Sequence, residues 1–310
     1  MRSNGIHHVT AIAGPAQRNL DFYTRVLGLR LVKKTVNFDD PGTYHFYYGD
    51  EAGQPGTILT FFPWAHVAPG RLGSGETQET VFRVPEGAIG YWVQRFVEKG
   101  VPHQAVEQRF GETVLAFKDP DGMRLALVAV PGIENEPGWA GGGVAAEHAI
   151  RGFHSVSLLL DDTAATGAVL DDVFGFTQVG REGAVVRYRA GDTAIGGIVD
   201  LRTAGGALPS RPGAGSVHHI AFRAADDAAQ AEMVRRLVEN HRLLTTEQKD
   251  RNYFRSVYFR EPGHVLFEIA TDIPGFAVDE PADTLGQALK LPRFLEAHRA
   301  EIERVLPVVG

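Results

Sequence analysis

Along the chain, short runs in which apolar and polar residues alternate give way to stretches with helical spacing, and this switch recurs four times. The first unit opens on the strand-like "IHHVTAI", passes through the helix-like "AQRNLDFYTRVLGL", and continues with "RLVKKTVNF", "TYHFYYGD" and "GTILTFFPW". The second runs "ETVFRV", "AIGYWVQRFVEKGV" and "TVLAFKDPDGMRLALVAV". The third runs "FHSVSLLL", "TGAVLDDVFGF", "GAVVRYRAGD" and "GGIVDLRT". The fourth runs "VHHIAFRA", "AQAEMVRRLVENHRL" and "RSVYFREPGHVLFEIATD". Each unit therefore reads as a strand, a helix and two or three further strands, which predicts an α+β fold. Glycines in "LGL", "KGV" and "FGF" predict helix stops, and "DPDG" and "EPGH" predict tight turns. The Gly/Pro-dense "PGIENEPGWAGGG" predicts a linker. The expected division is an N-terminal domain over 1–132, a linker over 133–150, a C-terminal domain over 151–273 and a tail over 274–310. "LPRFLEAHRAEIERVL" predicts a helix in the tail.

Strand alternation assigns faces to the histidine pairs. In "VHHIAFRA", His218 shares a face with Ile220 and Phe222, and His219 shares the other with Ala221 and Arg223. The apolar face belongs against the helix, so His219 is expected to face a cavity and His218 the helix. Gapless alignment of the units puts His7 on His218 and His8 on His219. In the third unit it puts His154 on His218 and Ser155 on His219. In "HVLFEIA", Glu268 falls out of phase with Val265, Phe267 and Ile269, and a carboxylate there is costly to bury unless paired or metal-bound. Offsets from Gly56 and Gly263 put Phe61 at the matching position of unit one; the others are Leu127 and, more loosely, Asp200. The units thus supply His8, His219 and Glu268. Two histidines and one carboxylate form the facial triad of non-haem Fe(II) enzymes. With Phe61 offering no fourth donor, positions are left for substrate and dioxygen. A lone strand histidine is ordinarily a hydrogen-bonded core residue; two in matching repeats with a phase-matched glutamate point instead to a metal site. Asp200 reads as a turn-facing or salt-bridged acid.

Composition narrows the class. The 310 residues suffice for two domains, and 44% hydrophobic with 22% charged residues is a soluble profile. A net charge of −7 without a Lys/Arg block argues against nucleic acid as partner. No apolar run is long enough to span a membrane, and "MRSNGIHHVT" has no apolar signal core. The absence of cysteine excludes disulfides and thiolate chemistry and fits a cytoplasmic protein.

The ordered set "GIHHVTAIAG", "NLDFYTRVLGLRLVKKTVNFDDP", "YHFYYGDEAGQPGTILTFFP", "RGFHS", "VHHIAF", "DRNYFRSVYFREPGHVLFEIATD" and "LGQALKLPRFLEAHRAEIERVLP" resembles the vicinal oxygen chelate superfamily. More closely, it is similar to ring-cleaving dioxygenases acting on hydroquinones, of the chlorohydroquinone and methylhydroquinone type. The resemblance covers nearly the whole chain. It implies four βαβββ modules forming two barrel-like domains plus a C-terminal helical tail. It places Fe(II) on His8, His219 and Glu268, in a cavity shared by units one and four, while units two and three form a barrel without metal. Arg251 and Tyr258 fall on the family's active-site arginine and tyrosine, and His7 on the histidine before the first ligand. Strand alternation favours a role for His7 behind the ligand rather than against the substrate. Asn252 and His264 depart from glycines of some relatives.

The activity so implied is that of a non-haem Fe(II)-dependent, extradiol-type dioxygenase cleaving a hydroquinone-class or catechol-like ring with O2. In that reading Tyr258 hydrogen-bonds or protonates the oxygen species, Arg251 favours the phenolate, and His7 and His218 orient the ligands. Phe61, Phe254 and Phe267 are core or pocket walls. Mn(II) suits the same donors. A small aromatic diol and O2 are the expected partners, with no membrane or nucleic acid, and a homo-oligomer is compatible with the sequence. The rival readings are a glyoxalase-like metal-dependent isomerase or lyase and a non-catalytic small-molecule binding protein on the same scaffold.

Overall fold

A computed structural model of the chain describes residues 5–191 and 193–310. Sixteen strands are present among them: β1 (Ile6–Ala13), β2 (Arg30–Asn37), β3 (Asp40–Gly49), β4 (Ile58–Pro63), β5 (Glu76–Pro85), β6 (Glu107–Arg109), β7 (Glu112–Lys118), β8 (Arg124–Val130), β9 (Phe153–Leu160), β10 (Phe176–Glu182), β11 (Val185–Ala190), β12 (Ile198–Thr203), β13 (Val217–Ala224), β14 (Lys249–Asp250), β15 (Arg255–Arg260) and β16 (Leu266–Thr271). The helices are α1 (Ala16–Asp21), α2 (Ile89–Lys99), α3 (Ala164–Asp172), α4 (Asp227–His241) and α5 (Arg299–Val305).

Two eight-stranded sheets result. One runs β14-β15-β16-β13-β1-β4-β3-β2, the other β10-β11-β12-β9-β5-β8-β7-β6. Units four and one build the first sheet, joined by antiparallel β1 and β13; units three and two build the second, joined by antiparallel β5 and β9. Each sheet therefore takes one unit from either side of the 133–150 segment. Within a unit the first strand pairs parallel with the last, as β1 with β4 and β13 with β16. Each such pair is flanked by a crossover through the unit's helix, which covers one sheet face. Apolar side chains meet there: Phe222, Phe267 and Ile269 share one core with Met233 and Leu237 of α4. No helix of the described residues is long and apolar enough to cross a membrane.

The helix stops are where glycine foretold them. Gly28, just past a π-helical turn over Phe22–Val26 that continues α1, takes a left-handed φ of 70°, and Gly100 and Gly175 take 66° and 67°; at the end of α4 Arg242 does the same at 55°. The start of α4 is fixed by Asp226, whose side chain accepts from the Ala229 amide. The predicted tail helix is shorter than its apolar spacing suggests. Only α5 is α-helical, after a 3-10 turn at Glu296–His298. Before it, the amides of Leu295 and His298 bond the carbonyls three residues back, at 2.8 and 2.9 Å, so the chain runs in tighter turns there. Upstream, the fully buried Lys33 of β2 binds Asp279 at 2.6 Å and Glu280 at 2.5 Å, clamping the tail to the first sheet.

One register differs from expectation, and it moves a key position. Before its last strand, each unit turns through a left-handed corner: Gly56, Gly122, Gly196 and His264, with φ of 93°, 87°, 64° and 74°. In unit four the corner residue is His264, not the neighbouring Gly263. Anchoring the offset on Gly263 therefore slips unit one by one residue. The residue equivalent to Glu268 is Thr60: it pairs with Thr10 as Glu268 pairs with Ala221. Phe61 points to the core, 4.5 Å from the Tyr23 ring. Leu127 is likewise core, and Ala126 takes the cavity position of unit two. Asp200, opposite Ser157, is the true counterpart of Glu268 in unit three.

Candidate metal centre

β1 and β13 pair antiparallel, and their register shifts twice. Ile6 faces Phe222 while His8 faces Ala221, and Thr10 faces His219 while Ala11 faces Val217. His7 and His218 are the extra residues of two bulges related by the repeat. A bulge breaks strict alternation, so neither histidine is consigned to the helix side as alternation alone would have it. His7 Nδ1 lies 2.9 Å from His8 Nδ1, and His218 Nδ1 lies 2.8 Å from His219 Nδ1. His218 reaches the cavity wall, whereas His7 is buried behind His8.

With their Nδ1 atoms so engaged, His8 and His219 aim Nε2 at each other, 3.3 Å apart, and at Glu268. Glu268 Oε2 is 2.9 Å from His219 Nε2 and 3.3 Å from His8 Nε2. All three residues are buried, and their facing atoms lie within 4.8 Å of one another. Glu268 Oε1 accepts from Ser256 Oγ at 2.5 Å, but Oε2 has no hydrogen bond of acceptable geometry. A fully buried carboxylate oxygen left unsatisfied between two imidazole nitrogens is costly. A divalent cation accepting one lone pair from each atom relieves that cost, so the donor set fits a metal.

The flanking histidines suit this arrangement. If Nε2 of each ligand histidine is to offer a lone pair, its Nδ1 must carry the proton and donate to a neighbour. Burial, with His8 beside it, holds His7 well below the usual imidazole range. Burial and His219 push His218 down to about 3. Both are therefore neutral, and each can accept at Nδ1. Burial alone would raise the Glu268 carboxyl, yet His8 and His219 hold it well below the ordinary carboxylate range.

The triad opens into a cavity of about 350 Å³. Phe62, Trp64 and Phe254 supply aromatic walls, and the Phe254 ring centroid is 4.9 Å from that of His8. Arg251 and Tyr258 stand together at the same cavity. Arg251 Nε donates to the Tyr258 hydroxyl at 3.3 Å, and its Nη2 pairs with Asp39 at 3.2 Å. Burial and the Glu268 charge push the Tyr258 phenol up, so it keeps its proton. Phe267, with Phe61, belongs to the core. His154 and Asp200 lie at the second sheet's cavity, away from the triad.

The sequence profile of the Glyoxalase/Bleomycin resistance protein/Dioxygenase superfamily matches residues 5–127 and 152–269. The chain belongs to that superfamily. It is 49% identical to the Bacillus subtilis protein called "Putative ring-cleaving dioxygenase MhqO", over 98% of this chain and 96% of that one. It is 32% identical to the chlorohydroquinone/hydroquinone 1,2-dioxygenase of Sphingobium indicum, over 99% and 98% of the two chains. A crystal structure of a "putative dioxygenase" from Bacillus subtilis superposes with a TM-score of 0.94 at 46% identity, covering 100% of this chain and 98% of that one.

This superfamily member also carries cavity residues absent from the set its sequence pattern singles out. His45 and Tyr47 of β3 line the cavity, and the His45 Nε2 is 2.8 Å from Thr60 Oγ1. The signal was present: "TYHFYYGD" puts His45 and Tyr47 two apart on one strand face. A histidine in a middle strand has no partner in the other units to draw notice to it.

Proposed function

We propose that the protein is a ring-cleaving dioxygenase that opens a hydroquinone-class aromatic ring with O2, in the extradiol manner, on Fe(II) held by His8, His219 and Glu268. The observation that carries this reading is the orphaned Glu268 Oε2 facing two imidazole Nε2 atoms at one end of an aromatic-walled cavity. The relatives' names support the substrate class. When bound, the ion supplies a redox-active template that holds diol and O2 side by side. The chain's own groups do the rest. Arg251 stabilises the phenolate and the anionic product by charge. Tyr258 offers a phenolic proton to oxygen close to His219, whose ring centroid is 5.6 Å from its own. His7 and His218 fix the ring orientation of the two ligand histidines. Phe254 and Phe62 flank the substrate ring and keep water out.

The test is anaerobic purification, Fe(II) reconstitution, elemental analysis, and oxygen uptake with methylhydroquinone, chlorohydroquinone and catechol. Stoichiometric iron and one O2 consumed per ring opened are expected, and manganese in its place would correct the metal. Turnover without oxygen would replace the proposal with an isomerase or lyase. Retained metal without turnover on any of these diols would make the protein a binder.

A further inference from the structure

The two halves of the first sheet are related by the repeat, and their cavity faces differ at two neighbouring positions. In unit four, Tyr258 stands opposite Glu268 on neighbouring strands, and Ser256 donates to the carboxylate. In unit one, Tyr47 stands opposite Thr60 in the same register, and His45 takes the place of Ser256. Thr60 therefore holds the position where a second carboxylate would sit across the triad from Glu268.

That position is tied into a hydrogen-bonded chain. Thr60 Oγ1 donates to Thr10 Oγ1 at 2.9 Å, so it must accept from His45 Nε2, 2.8 Å away. The His45 Nδ1 is then bare and accepts from the Tyr47 hydroxyl at 2.9 Å. Burial, with His8 and His219 nearby, keeps His45 neutral, as this tautomer requires. The sequence Tyr47–His45–Thr60–Thr10 has one direction, and it ends beside the ligand strands, where Thr10 faces His219 in the sheet. Both threonines are fully buried.

Resting on the metal reading proposed above, we infer that His45 is a positioning residue: through Thr60 it fills the place opposite Glu268 with a neutral hydroxyl chain, which holds the centre at three protein donors and leaves that side of the ion to a phenolate. Electrostatics supports the assignment. One carboxylate on a dication leaves a net positive site that attracts one phenolate, and a second carboxylate would cancel that pull.

The test is anaerobic Co(II) titration of the metal-free full-length chain, followed by methylhydroquinone without O2, with the visible Co(II) spectrum as readout. In Thr60→Glu, Co(II) is expected to bind at least about tenfold more tightly, with the phenol-induced spectral change lost. In His45→Phe, Co(II) is retained but methylhydroquinone binds about tenfold more weakly. His45→Gln, with one amide donor and one acceptor, restores most of that loss. If Thr60→Glu fails to fold, the His45 pair carries the test alone. Variants that bind both Co(II) and the phenol as the unaltered chain does would overturn this inference and leave the metal reading standing. An unaltered chain that takes up no Co(II) would overturn the metal reading, and this inference with it.

Discussion

The two sheets wall two cavities of similar size, about 350 Å³ in the first and about 360 Å³ in the second. Both have paired bulges at the same places: His7 and His218 in one, Gln78 and His154 in the other. The register then equates His8 with Glu79, His219 with Ser155, Glu268 with Asp200, and Tyr258 with Arg187. In the second cavity the charges close on one another. Arg187 grips both oxygens of Asp200 at 2.8 Å and reaches Glu112 at 2.6 Å. His154 binds Glu112 and Ser155, each at 3.0 Å, and Arg109 pairs with Glu79 and Glu107. An arginine where the first cavity has a tyrosine satisfies the buried acid from within. The same backbone therefore gives either a self-neutralised wall or a donor set left one cation short. A few side chains decide which, and the fold alone does not.

The sharpest way to break this comparison is to remove the equivalent acids. Glu268→Ala is expected to abolish metal retention and oxygen uptake, as are His8→Ala and His219→Ala. Asp200→Ala should leave both intact and instead destabilise the chain by about 1–3 kcal/mol, because the buried Arg187 guanidinium loses its two-oxygen partner and keeps only Glu112. Metal analysis beside chemical denaturation separates the two outcomes. Loss of metal in Asp200→Ala would show that the second cavity is not an independent structural element.

A smaller effect distinguishes the flanking histidines. His7→Ala and His218→Ala each remove the acceptor at a ligand's Nδ1, which should weaken metal binding about 10–100-fold. His154→Ala, at the equivalent of His218, should not alter metal affinity. Competition with a chelator measures all three.

The second cavity also has a pH signature. Burial would raise the Glu112 carboxyl, but His154 and Arg187 hold it down to about 2, against an ordinary 4.5. A depressed folded-state value gives stability that is fully present above pH 4.5 and lost as pH falls toward 2. Glu112→Gln should cost about 2 kcal/mol at neutral pH, allowing for partial exposure, and the cost should shrink through that acid window. Equal losses at pH 3 and pH 7 would remove the ion pairing from the account.

Much of this was legible in the chain. Repeated period-two runs gave the four units, helix-stop glycines gave the helix ends, and phase gave His8, His219 and Glu268, which the structure brings together. What alternation cannot encode is a bulge, because the extra residue is defined only against a partner strand. The partners of His7 and His218 are about 200 residues away in the sequence. The chain Tyr47–His45–Thr60–Thr10 was hidden for a related reason. Its members come from three strands, and each looks like an ordinary amphipathic position. Phe61 and Thr60 are separated by a single residue of register, and a one-residue slip exchanges the two faces of a strand.

That slip points to the smallest expected effect. Three units turn the corner before their last strand on a glycine, and unit four turns it on His264 at a φ of 74°. The left-handed region costs a residue with a Cβ roughly 1–2 kcal/mol, while glycine gives back about 0.5–1 kcal/mol through the entropy of the unfolded chain. The His264 side chain is exposed, and the contact formed there, Arg260 to the His264 carbonyl at 2.8 Å, uses the backbone and survives substitution. His264→Gly should therefore raise stability by about 0.5–1 kcal/mol, with metal content and turnover unchanged, as measured by denaturant midpoint and oxygen uptake. The equivalent exchange in the second cavity's unit, Gly196→His, should move stability the other way and by more, since a Cβ there would meet Ile6 at 3.0 Å. If both exchanges destabilised alike, the corner histidine would be contributing through its side chain, and the four corners would not be conformational equivalents.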